Sequence, residues 1–190
     1  MLKKTVTLLT VFALVFAIAI PAFAEEKDYD LYKADELVPF EKTYTQWELG
    51  WGIYSLIDKT FNPKRDKVVE ENGFKIVTYT MIPGLGFTLY CDPETNQILK
   101  AFTNLTWEGI TNDEATLAAS KTADAYQCMA SACIGVGESD TDLLAKGWDK
   151  IDITSLTLNR YRQYIDGGYV FYGWFSKNFC LDAGFFVEKK

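Results

Sequence analysis

Apolar and polar positions along this chain fall into three regimes: one long apolar run, helical stripes spaced by three and four, and alternating strands. The run extends from Val6 to Ile20, preceded by Lys3 and Lys4 and broken at Pro21. Ala22-Phe23-Ala24 then supplies the small-x-small site of a secretory leader, so residues 1–24 are expected to be a signal peptide cleaved after Ala24. At about 15 residues the run falls short of the roughly 20 a spanning helix needs, which weighs against a retained anchor.

Residues 25–39 are charged and lack a period, and read as an N-terminal arm. Residues 40–190 are expected to fold as a single α+β domain. Phe40, Tyr44, Trp47, Trp51 and Tyr54 step by four, three, four and three, which predicts a helix from Phe40 to Phe61 with an aromatic stripe. Asn62-Pro63 ends it. Asp66 to Glu70 then leads through Asn72-Gly73, a hairpin signal, into the alternating stretch Phe74 to Ile82. Pro83-Gly84 turns the chain into Leu85, Phe87, Leu89 and Cys91, which share one face. The returning strand, Gln97 to Trp107, is expected to set Leu99, Ala101, Leu105 and Trp107 on a common side.

Thr111 and Glu114 have the spacing of a capping box and open an alanine-rich helix to about Cys133. A shorter helix is expected from Ser139 or Asp140 to Trp148. Three strands close the pattern: Leu156–Ile165, then Tyr169–Phe175 after the turn Asp166-Gly167-Gly168, and Phe179–Val187. The expected architecture is helices packed on antiparallel β-meanders, ordered helix, three or four strands, two helices, three strands. The two meanders echo one another as pseudo-repeated halves. Helices segregated from antiparallel strands indicate α+β rather than βαβ winding.

Charge narrows the partners. The whole chain carries -7, and the leader holds two lysines and no acid, so its removal leaves -9. A domain this acidic is repelled by phosphate backbones and anionic bilayers, so neither nucleic acid nor, after cleavage, a membrane is an expected partner.

The four cysteines, Cys91, Cys128, Cys133 and Cys180, all lie beyond the leader. An even number in an exported chain favours two disulfides. Cys128 and Cys133 point about 140° apart on a regular helix, so Cys91 and Cys180 are each expected to tie to that helix, in either of two pairings. The remaining pairing, Cys91–Cys180 with Cys128–Cys133, requires the helix to end before Cys133. With no C-x-x-C and no histidine, a metal centre is not expected.

Lack of histidine also removes Ser-His-Asp and Cys-His catalysis, and no phosphate-binding or dinucleotide fingerprint appears. No catalytic residue and no cofactor are assigned. Glu108 and Asp182 are the most suggestive acids, and a carboxylate-dependent glycoside hydrolase is the alternative function.

The positive signal is aromatic. Tyr169-Val170-Phe171-Tyr172-Gly173-Trp174-Phe175 carries rings on both faces of one strand, whereas a strand with one wet face alternates apolar and polar. Arg160, Arg162, Tyr164, Tyr172 and Trp174 are the candidate ligand-binding residues, because Tyr, Trp and Arg dominate binding hot spots. The expected role is that of a secreted, non-catalytic binding protein recognising a protein or a cell-surface glycan through this sheet face.

Overall fold

A computed structural model describes residues 32–57, 62–134, 146, 160–165, 168–175 and 180–190, with residues 52–57, 160–165, 174, 175 and 180 treated by backbone position only. The expected leader, the helix expected near 139–148 apart from residue 146, and the turn at 166–167 lie outside the described residues. A helix, α1 (Tyr44–Ile57), is followed by β1 (Lys64–Glu71), β2 (Phe74–Ile82), β3 (Leu85–Cys91) and β4 (Ile98–Thr106). The long helix α2 (Asn112–Ile134) comes next, then β5 (Arg160–Ile165), β6 (Tyr169–Phe175) and β7 (Cys180–Val187). All seven strands make one antiparallel sheet ordered β1-β2-β3-β4-β7-β6-β5. The fold is α+β, and pairing of β4 with β7 fuses the two meanders.

Local chemistry sets the element boundaries. The β1–β2 turn takes Asn72 at φ 51° and Gly73 at φ 78°, the left-handed pair that matches strand twist in a two-residue hairpin. The first helix begins at Tyr44, four residues later than the aromatic stripe suggests. Thr43 and Gln46 form a reciprocal cap: the Thr43 N–H donates to Gln46 Oε1 at 2.9 Å, and the Gln46 N–H donates to Thr43 Oγ1 at 3.3 Å. Phe40 therefore precedes the helix, although it still joins the core. The Thr111–Glu114 cap forms as expected, with N–H to carboxylate at 2.8 Å and N–H to hydroxyl at 3.3 Å. Hydrogen bonds from the Thr111 backbone and then its hydroxyl hold the Glu114 carboxyl below its ordinary value.

Each face of the sheet has its own core. On the first face Val77, Tyr79, Phe87, Leu89, Ala101 and Phe185 pack beneath Trp47, Trp51, Tyr126 and Met129 of the helices. Tyr79 donates to Glu48 Oε1 of α1 at 2.9 Å, and burial followed by the Glu48 charge raises its phenol. On the second face Phe74, Tyr90, Leu99, Phe102, Val170, Tyr172 and Phe186 cluster with Leu37. Leu99 thus leaves the side expected for it. A bulge pairs Tyr90 with Lys100 but Cys91 with Ile98, and the extra residue shifts the parity, so Ile98 takes the first face.

Residues 32–39, within the expected arm, are docked on the sheet. The Val38 N–H donates to the Val187 carbonyl at 2.8 Å, the Lys189 N–H donates to the Glu36 carbonyl at 2.8 Å, and Leu37 is fully buried. This strap closes the end of the second face where Tyr32 packs on Phe186, ring centres 4.7 Å apart. No helix among the described residues is long and apolar enough to cross a membrane.

Candidate functional site

Strand register brings the five candidate binding residues onto the second face. Three rows cross the sheet there, each running β3-β4-β7-β6-β5. The first is Gly86, Asn104, Asp182, Trp174, Arg160; the second is Thr88, Phe102, Gly184, Tyr172, Arg162; the third is Tyr90, Lys100, Phe186, Val170, Tyr164. Directly opposed residues hold their Cβ atoms about 5 Å apart, so each row is a line of neighbours. Arg160, Arg162, Tyr164 and Trp174 are placed here by backbone register.

The rows differ in chemistry. In the first, Asn104 Nδ2 donates to Asp182 Oδ1 at 2.6 Å, while Thr88 Oγ1 donates to Asn104 Oδ1 at 2.7 Å. A hydroxyl, an amide and a carboxylate are thereby lined up across β3, β4 and β7. Asp182 is only 1% exposed, so this hydrogen bond lies out of water, where leaving either partner unpaired is costly. The second row is aromatic, with Phe102 edge-on to Tyr172 at 6.2 Å between ring centres. Gly184 opposes Phe102, and the ring occupies the space a side chain would take: a Cβ there would sit 2.3 Å from Phe102 Cδ1. The third row holds a buried cation. Lys100 Nζ lies 4.1 Å from the centre of the Phe74 ring and 4.5 Å from that of Tyr90, whose π faces offset the loss of water.

Tyr172, a candidate ligand contact, is 4% exposed and serves as packing. Among the described residues of this face, Ile76, Thr78 and Thr88 on β2 and β3 are half-buried and Thr80 is exposed. Of the two acids singled out in the sequence, Asp182 belongs to the first row, and Glu108 stands exposed in the turn after β4, its N–H donating to Thr106 Oγ1 at 3.3 Å. Among the described residues no group of three or more acids and cysteines could hold a metal ion.

Sequence reasoning missed Asn104, Thr88 and Lys100. Alternation with Phe87, Ala101 and Leu105 sets them on the opposite side, but nothing local to either segment shows that β4 pairs with β7 and so brings Asn104 to Asp182.

Cys91 and Cys133 are fully buried thiols on the first face, and burial above all pushes the Cys91 thiol up to about 12. Cys128 is half-buried, and Cys180 lies opposite Thr106 at the other end of β4 from Cys91.

Comparison with protein-family models, with curated proteins and with solved structures finds no match to this chain.

Proposed function

We propose that this is a secreted, non-catalytic binding protein that recognises a cell-surface glycan or a protein through the β5–β6 side of the second sheet face. The reading is carried by one observation: cross-strand register gathers Arg160, Arg162 and Trp174 beside the Thr88–Asn104–Asp182 hydrogen-bonded line. Planar guanidinium groups and an indole recognise ligands by stacking and forked hydrogen bonds. Arg160, Arg162, Tyr164 and Trp174 are the ligand contacts in this reading, and Tyr172 supports them from within the core. The two halves, α1 with β1–β4 and α2 with β5–β7, are related as pseudo-repeats. In support, the last strand of each meander pairs antiparallel with the other at the middle of the sheet.

The test is a titration of the protein with a panel of soluble glycans and surface proteins, read by tryptophan fluorescence. A ligand that changes the wild-type signal should leave Trp174→Ala unchanged and bind Arg162→Ala at least tenfold more weakly, with circular dichroism unaltered in both. Binding that survives both substitutions would overturn the reading. Turnover of a glycan that stops in Glu108→Gln would replace it with a hydrolase.

A further inference from the structure

The chain leaves Cys91 and Cys133 as buried thiols on one face, and the geometry of α2 brings them to the same end of the sheet. A Cβ on Gly84 would lie 3.5 Å from the Cβ of Ala118, which fixes the start of α2 over the start of β3. From Ala118 to Cys133 the helix rises about 22 Å at 1.5 Å per residue. From Gly84 to Cys91 the strand advances about 24 Å at 3.4 Å per residue. Helix and strand run the same way, so Cys133 comes level with Cys91. Met129 lies between, where the Thr103 hydroxyl contacts its sulfur at 3.7 Å.

Lys42 marks the same spot independently. Its carbonyl accepts the Ile98 N–H at 3.0 Å, and Ile98 is the cross-strand partner of Cys91. Burial raises the Cys133 thiol most, the Cys91 sulfur raises it further, and the Lys42 charge opposes both. Cys91, its partner Ile98 and Cys133 all belong to the same buried cluster on the first face.

The other pairings fail on position. The helix runs unbroken through Cys133 to Ile134, so Cys128 and Cys133 stay about 140° apart. Cys180 is level with Thr106, eight residues or about 27 Å along β4 from the partner of Cys91. A disulfide needs Cα atoms within roughly 7 Å. Cys180 also lies about 15 Å along the sheet from Cys128, which is ten helical residues beyond Ala118.

We propose that Cys91 and Cys133 form a single disulfide that clips the C-terminal end of α2 to the end of β3, leaving Cys128 and Cys180 as thiols. The bond forms by thiol–disulfide exchange before the core closes. One thiolate attacks a disulfide oxidant, breaking its S–S bond and releasing one thiol; the other attacks the protein sulfur of the mixed disulfide and displaces the second thiol, so the reduced oxidant leaves with the two electrons and two protons. Once folded, both sulfurs are buried, so reductant reaches them only as the chain opens. Export supplies the oxidising setting, but the linkage itself is testable without a ligand, so its failure and that of the binding reading are separate.

Reduced, denatured protein is refolded with glutathione disulfide, denatured again without reductant, alkylated, digested and mapped by mass spectrometry. One linked peptide pair joining Cys91 to Cys133, with Cys128 and Cys180 alkylated, is the expected map. Alkylation of all four residues, or a link to Cys128 or Cys180, would overturn the proposal. A second measurement leaves the buried pair untouched: the Cys128→Ala/Cys180→Ala variant should still lose about 10 °C of thermal midpoint on reduction. The Cys91→Ala/Cys133→Ala variant, if it folds, should show no redox shift; a redox-insensitive Cys128→Ala/Cys180→Ala variant would also refute the bond.

Discussion

Replacing Gly184 by alanine tests the register on which the candidate site depends. A Cβ at this position would stand 2.2 Å from the Ala101 carbonyl oxygen and 2.3 Å from Phe102 Cδ1, against ordinary contact beginning near 3.4 Å. Both atoms would have to retreat by more than 1 Å. The carbonyl belongs to the backbone of central strand β4, and the Phe102 ring is held edge-on between Tyr90 at 5.9 Å and Tyr172 at 6.2 Å. Overpacking a closed core costs about 1–3 kcal/mol, and two simultaneous clashes in rigid surroundings put this variant near the upper limit, about 3 kcal/mol. Against a total stability of about 5–15 kcal/mol that is a large loss. Urea denaturation followed by circular dichroism should show the midpoint falling by about 1.5 M at an m-value near 2 kcal/mol/M. Adding Phe102→Leu should return only part of the loss, because the carbonyl clash remains. The control is Gly109→Ala, where nothing lies within 4 Å and only the strain of φ 76° is felt, about 1 kcal/mol. If Gly184→Ala unfolds within 0.5 kcal/mol of wild type, β7 is not seated against β4 in this register, and the rows that gather Arg160, Arg162 and Trp174 dissolve with it.

Two further outcomes follow from the polar groups. Asn104→Ala removes the 2.6 Å donor to the buried Asp182 carboxylate and should cost about 1.5–3 kcal/mol by the same denaturation assay; a loss below 0.5 kcal/mol would mean the hydrogen-bonded line does not form. Asp92 is held below its ordinary value, foremost by the Thr95 N–H at 2.7 Å and also by the Thr95 hydroxyl and the Glu94 N–H. A folded value below the unfolded one means its contribution is complete above the ordinary carboxylate range near pH 3.9 and is lost as pH falls through the folded value. Asp92→Asn should therefore destabilise at pH 7 and show a smaller drop in thermal midpoint between pH 5 and pH 2 than wild type, and an identical drop in both proteins would refute the assignment.

Much of this fold was legible where a local pattern and a local turn agreed. Leu85, Phe87, Leu89 and Cys91 declare their shared face by simple alternation, and Asn72-Gly73 declares the turn that fixes β1 against β2. The Thr111–Glu114 box starts α2 within one residue of its observed beginning. Legibility failed where two local signals competed. At α1 the aromatic spacing reaches back to Phe40, but the Thr43–Gln46 cap determines the start, because satisfying free N–H groups outweighs extending a stripe. At Leu99 one inserted residue reverses which side faces which core, and no alternation rule anticipates it. The candidate site was legible only as a list. That its members share one face depends on β4 pairing with β7, strands separated by the whole of α2 and β5–β6, and non-local pairing leaves no mark on either segment alone. The burial of Asp182, singled out in the sequence only as a suggestive acid, was hidden for the same reason: it comes from neighbours far away in sequence.

The position of β7 has a consequence for when the molecule can fold. Among the described strands it comes last along the chain, yet it occupies an interior place between β4 and β6, and the backbone around Val187 and Lys189 anchors the strap at Glu36 and Val38. Until those residues have emerged, β4 presents an open edge and the strap has nothing to grip. A nascent chain is therefore held back from completing its sheet until β7 and the residues around Lys189 have been made, and the middle of the sheet closes after its β1–β4 side.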